Sequence, residues 1–124
     1  MDFLIKARLN SKVVIASVDG EWNKATFLLM RKKVFNLLKS INARHVLLDV
    51  RRLKGKISTM EFFKIAASGS FEIKMATVYS EKINIDETIK FSRTVALNRG
   101  RLIKAFSDVS EAKKWLNFPE LEYE

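Results

Sequence analysis

His45-Val46-Leu47-Leu48-Asp49-Val50 is the stretch that decides the fold. Its run of three apolar residues, bounded by polar ones, is too short for a periodic helix and does not alternate as a half-buried strand would. It suits a short central strand buried on both faces, and two-sided burial implies parallel strands with helices laid over them. The neighbouring segments fit that frame. Upstream, Phe3–Leu9 alternates cleanly, with Phe3, Ile5, Ala7 and Leu9 on one side and Leu4, Lys6 and Arg8 on the other, the period of a strand with one wet face. Asn10-Ser11 signals a turn and Val13–Val18 is a second β-rich run, so the two form an antiparallel hairpin that Asp19-Gly20 closes. Trp22 to about Ser40 reads as a helix, because Phe27, Met30, Val34, Leu38 and Ile41 recur at helical spacing while Lys24, Arg31, Lys32, Asn36 and Lys39 fall mostly opposite.

Downstream, Arg51-Arg52-Leu53-Lys54-Gly55-Lys56 reads as a loop. Ser58-Thr59-Met60-Glu61 then matches a capping box, opening a helix to about Ser68 that Gly69 ends. Lys74–Tyr79 is another inner strand. A helix is expected from Asp86 to about Asn98 with Gly100 at its stop, and a last short strand over Arg101–Phe106. Ser107-Asp108 starts a final helix through Ala112, Trp115 and Leu116, which Pro119 breaks. The order β-β-α-β-α-β-α-β-α predicts an α/β fold with a mostly parallel, mixed five-stranded sheet, its antiparallel N-terminal hairpin at an edge. One domain is expected over residues 1–117, followed by an acidic C-terminal tail over 118–124.

Composition narrows the chemistry. A chain of 124 residues fits one domain. The absence of cysteine excludes disulfides, thiolate metal sites and cysteine nucleophiles. His45 is the only histidine, read as a strand-start residue; it supplies neither a metal-ligand set nor a Ser–His–Asp arrangement with Ser58. The four glycines stand alone, so no phosphate-cradling loop is present. With no paired acidic cluster either, the residues argue against an enzyme and imply no cofactor. No apolar run approaches a membrane span, and the N-terminus lacks the pattern of a signal peptide, so a cytoplasmic location is expected. The formal charge of +9 points to an anionic partner such as nucleic acid, an anionic membrane surface or a phosphorylated ligand, although solvated helix faces account for the same excess. Nucleic-acid binding is a further alternative, ahead of an enzyme: with no recognition-helix signature and no strand-borne aromatic set, the charge predicts only a weak, salt-sensitive affinity.

The segments Gly20-Glu21-Trp22, Val46-Leu47-Leu48-Asp49-Val50-Arg51, Gly55-Lys56-Ile57-Ser58, Asn98-Arg99-Gly100 and Phe106–Leu116 resemble the STAS-like family, the fold of anti-sigma factor antagonists and of the cytoplasmic domains of sulfate transporters. More closely, the chain looks like a bacterial branch grouped with the CRAL-TRIO lipid-transfer fold. In regulatory members a strand ending in an Asp leads to a serine at the next helix start, whose phosphorylation switches partner binding. The resemblance maps those roles onto Asp49 and Ser58. The residues between depart from the pattern: the antagonists place an acidic residue before a serine pair, whereas this chain has Ile57-Ser58-Thr59 behind a basic segment. By the same resemblance the protein is non-catalytic.

Two candidate sites follow. Ser58 and Thr59, with Arg51, Arg52, Lys54 and Lys56 before them, would hold an anion or a phosphoryl group beside the free N–H groups of a helix start at the carboxyl end of the sheet. Ser58 and Glu61 equally suffice as an ordinary cap, worth about 1 kcal/mol. The second candidate is the helix from Ser58 to Ser68, apolar almost all round. Met60, Phe62 and Phe63, with Phe91, would cover a protein partner, a second copy of the chain or a lipid-like ligand, or simply pack inside. The leading expectation is therefore a regulatory or interaction module acting through protein contacts, and the alternative is a small apolar-ligand or lipid carrier.

Overall fold

The structure is a computed structural model that describes residues 1–55, 72–80, 95–97 and 101–124. Its strands are β1 (Asp2–Arg8), β2 (Val13–Glu21), β3 (His45–Lys54), β4 (Lys74–Val78), β5 (Val95–Leu97) and β6 (Arg101–Phe106), with helices α1 (Lys24–Ser40) and α2 (Val109–Trp115). They form one sheet in the order β1-β2-β3-β4-β6-β5. The expected hairpin is present at one edge, β1 running antiparallel to β2, and β2, β3, β4 and β6 are parallel. These four lie in chain order, so strand order does not reverse among them and the crevice of a doubly wound sheet has no counterpart there.

The alternation in β1 places Phe3, Ile5 and Ala7 against the protein and Asp2, Leu4 and Lys6 in solvent. Asn23 caps α1, its side-chain oxygen accepting the Thr26 N–H at 2.9 Å. Phe27, Met30, Val34 and Leu38 then bury the helix's apolar stripe over β1 and β2. β3 is buried on both faces, as its apolar run requires. Val46, Leu48 and Val50 join the core under α1, and Leu47 joins Val13, Ile15, Ala76 and Val78 in a second core under α2. Asp108 caps α2 through the Ser110 N–H at 2.9 Å, and the helix lies over β4 and β6.

Three expectations need correction. Asp49 does not end its strand, and Arg51, Arg52 and Lys54 are not in a loop: β3 continues to Lys54 against Asp19, Gly20 and Glu21 of β2. Leu53, only 2% exposed, anchors that extension in the core. The strand stops at Gly55, whose φ of +95° beside Trp22 is readily adopted by glycine. Secondly, Val95–Leu97 is not the end of a helix but a strand paired antiparallel with β6, giving a sixth strand. Only three residues, Asn98-Arg99-Gly100, separate paired Leu97 from Arg101. Such a link favours a hairpin that satisfies backbone groups a helical reading of the same apolar spacing would leave to a cap. Thirdly, α1 begins at Lys24 rather than Trp22, because β2 runs on to Glu21. The expected helix from Ser58 to Ser68 and the part of the Asp86–Asn98 helix before Val95 lie outside the described residues.

Residues 118–124 fold back over the sheet. Leu121, 5% exposed, packs in the α2-side core, and the Lys113 ammonium donates to the main-chain oxygens of Leu121 and Tyr123, each at 3.0 Å. The Arg8 guanidinium donates to the main-chain oxygen of Glu122 at 3.3 Å.

Candidate functional site

The site begins with an irregularity in β3. Ser17 pairs with Asp49, but Asp19 pairs with Arg52, so β3 carries one residue more than β2 over this interval. A bulge of this kind re-aims side chains and often adjoins functional sites. Here it brings Asp49 and Arg51 together. One Asp49 oxygen accepts from the Arg51 main-chain N–H and from its Nε, both at 3.0 Å. The other accepts from Arg51 Nη2 at 2.9 Å and from the Tyr123 hydroxyl. Arg51 Nη2 also donates to the main-chain oxygen of Glu124 at 2.9 Å, which ties the returning tail to the strand. The Asp49 carboxylate is thus bound by a two-pronged Arg contact, a phenol and a backbone amide.

The titration of the three groups follows from this packing. Burial alone would push the Asp49 carboxyl up, but the hydrogen bonds from the Arg51 side chain, the Tyr123 hydroxyl and the Arg51 amide outweigh it and hold the group below the ordinary carboxylate range. The bond to Asp49 raises Arg51 further, and burial, followed by the Asp49 contact, raises the Tyr123 phenol. At neutral pH the site holds a carboxylate, a guanidinium and a neutral phenol. A carboxylate so low and so fully engaged has neither a proton to give nor a free lone pair to take one, which argues against acid–base work by Asp49.

Beside this cluster lies an open groove of about 610 Å³, between β1 and the returning tail, lined by Leu4, Ser17, Asp19, Asp49, Arg51 and Tyr123 among others. A second groove of about 540 Å³ adjoins the Ala7–Ser11 end of the same strand and residues 120–122. Among the described residues, α2 lies over β4 and β6 and the tail reaches only partway across, so neither extends over this face of β1 and its border with β2. Leu4 lies there 56% exposed.

Of the expected anion-site residues, Arg51 is committed to Asp49 and Glu124, and exposed Arg52 and Lys54 stand opposite Asp19 and Glu21 in the parallel ladder. Their surroundings are therefore of mixed sign, not purely cationic. Lys56, Ser58, Thr59, Met60, Phe62, Phe63 and Phe91 lie outside the described residues. His45 opens β3, stacked edge-on against Phe118 with ring centroids 5.1 Å apart. Burial, and then the charge of Lys74, lower its pKa and keep it neutral at pH 7. Among the described residues no three His, Cys, Asp or Glu side chains gather to hold a metal ion, and no helix is long and apolar enough to cross a membrane.

Tyr123, Arg8 and Lys113 are the site residues that sequence reasoning missed. A signal was present for the first. In Glu120-Leu121-Glu122-Tyr123-Glu124 apolar and acidic residues alternate, the pattern of an extended segment with one face against the protein.

No protein-family model, curated protein or solved structure matches the chain.

Proposed function

We propose that the chain is a non-enzymatic regulatory or interaction module of the STAS-like kind, acting through protein contacts. The observation that carries this reading is the groove between β1 and the returning tail. It is wide and open, floored by an exposed leucine on an edge strand, and bordered by polar groups locked to one another. Such a surface offers shape, apolar contact and an edge strand, which is what a protein segment needs, and its Asp49, Arg51 and Tyr123 side chains are engaged with one another. Ser58 is the proposed switch. A phosphoryl group there would follow β3, the strand that carries the Asp49–Arg51 bulge, by only a few residues in sequence, and would add negative charge to a basic stretch of the sequence that includes Lys54 and Lys56.

Affinity capture with the tagged full chain tests the proposal. Leu4→Asp, on an exposed side chain, is expected to lose the protein partners recovered by the wild type while keeping its circular dichroism spectrum. Ser58→Glu and Ser58→Ala are expected to recover different sets from one another. Identical sets across all three variants would overturn the proposal, and a lipid-like mass retained in native mass spectrometry would replace it with the apolar-ligand carrier.

A further inference from the structure

The positive charge of this protein is concentrated in one element. From Trp22 to Leu48 there are six Lys and Arg and no Asp or Glu, so this stretch accounts for two-thirds of the net +9. Five of the six lie on α1. The helix buries Phe27, Met30, Val34 and Leu38, and its outward surface carries Leu28 and Leu29, 40% and 49% exposed, next to exposed Lys32 and to Lys33, which is exposed with its ammonium 5.6 Å from the Phe3 ring centroid at the helix flank. Leu28 and Leu29 precede Lys32 by four and three positions and are its neighbours on the helix surface. Exposed Lys24 and Lys39 extend the cationic face toward either end. A water-facing helix surface normally mixes signs and keeps large aliphatic side chains inward. This one does neither.

We infer that the outer face of α1 docks the protein on an anionic lipid bilayer, with Leu28 and Leu29 entering the headgroup region and the lysines beside the lipid phosphates. Charge and shape together favour the bilayer. The five cations of α1, with no acidic residue among them, match an anionic leaflet, and a fluid headgroup layer closes around the convex apolar tip of the two leucines without a preformed groove. Nucleic acid would use the lysines but leave both leucines in water. Lysines near an anionic leaflet contribute additively, and leucine burial supplies the part that salt does not screen. α1 lies on one face of β1 and β2, and the groove beside Asp49 lies on the other. A docked molecule therefore holds its groove away from the membrane, and the two surfaces can be occupied together. This inference does not depend on what the groove binds.

Co-sedimentation of the full chain with phosphatidylcholine vesicles, with and without phosphatidylserine, tests it. Binding is expected only to vesicles that contain phosphatidylserine, weakening but persisting at physiological salt. Lys32→Gln with Lys33→Gln, and separately Leu28→Ser with Leu29→Ser, should each lower the partition coefficient by about tenfold or more, with unchanged circular dichroism. Because the chain has no cysteine, Leu29→Cys can carry an environment-sensitive dye whose emission should shift to the blue on these vesicles, while the same dye at Glu111→Cys on α2 should not respond. Equal binding to both vesicle types, or leucine variants that bind as the wild type does, would overturn the assignment. So would full competition by short duplex DNA with no dye shift, which would mark a general polyanion surface.

Discussion

At the residue scale the arrangement turns on Asp49. A carboxylate beneath the surface of a sheet is costly unless it is paired, and the bulge in β3 supplies the partner by bringing Arg51 round to both oxygens. Tyr123 completes the set. Because the folded-state pKa of Asp49 is depressed, its contribution to stability is present above the unfolded value near 3.9 and is lost as pH falls through the folded one. Urea midpoints measured from neutral pH downward should therefore fall more steeply below about pH 4 for the wild type than for Asp49→Asn, which starts less stable because Arg51 loses its counter-charge. Tyr123→Phe should cost about 1.5–3 kcal/mol at neutral pH, the value of one hydrogen bond to a charged group, here the buried Asp49 carboxylate. Equal slopes for wild type and Asp49→Asn would show that the pair does not govern acid stability. The sequence shows Asp49 as a polar residue after an apolar run, but it cannot show that Arg51 reaches back to it. That contact depends on one extra residue in β3 relative to β2, and pairing register between distant strands is not written in either strand alone.

At the element scale the returning segment 118–124 is held by its backbone and by its apolar side chains, not by its acidity. Lys113, Arg8 and Arg51 all donate to main-chain oxygens, and the Glu120, Glu122 and Glu124 side chains are exposed. Leu121→Ala should lower unfolding free energy by about 2–4 kcal/mol through the cavity left among Val13, Ile15 and Leu47. Glu122→Ala should change it by less than about 0.5 kcal/mol. Thermal and urea denaturation of the two variants measure the contrast, and a larger loss for Glu122→Ala would mean that side-chain charge docks the segment. The same segment shows why some elements were legible and others not. α1, α2 and the strands from β1 to β4 announce themselves by period, cap and apolar run. β5 and the continuation of β3 do not, because each is a short segment of ordinary composition made a strand by the neighbour it pairs with.

At the scale of the whole molecule the described helices cover different parts of the two faces of the sheet. Among the described residues, α2 lies over the β4–β6 half of one face and α1 over the β1–β2 half of the opposite face, and the groove lies over β1 on the face that carries α2. Alternating strands and helices foretold the parallel sheet, and the opening hairpin foretold its antiparallel edge. The location of the groove was not foretold, because it depends on how far the tail reaches across a face that α2 does not cover. The groove is the surface proposed to meet a protein partner. The most direct measurement is in-cell photo-crosslinking, with a benzophenone amino acid replacing Leu4 in the groove and, as a control, replacing Glu111 on α2. A discrete protein adduct is expected from position 4 that is absent from position 111 and is lost when Tyr123→Ala removes a wall of the groove. Equal adducts from both positions, or none from position 4, would contradict it.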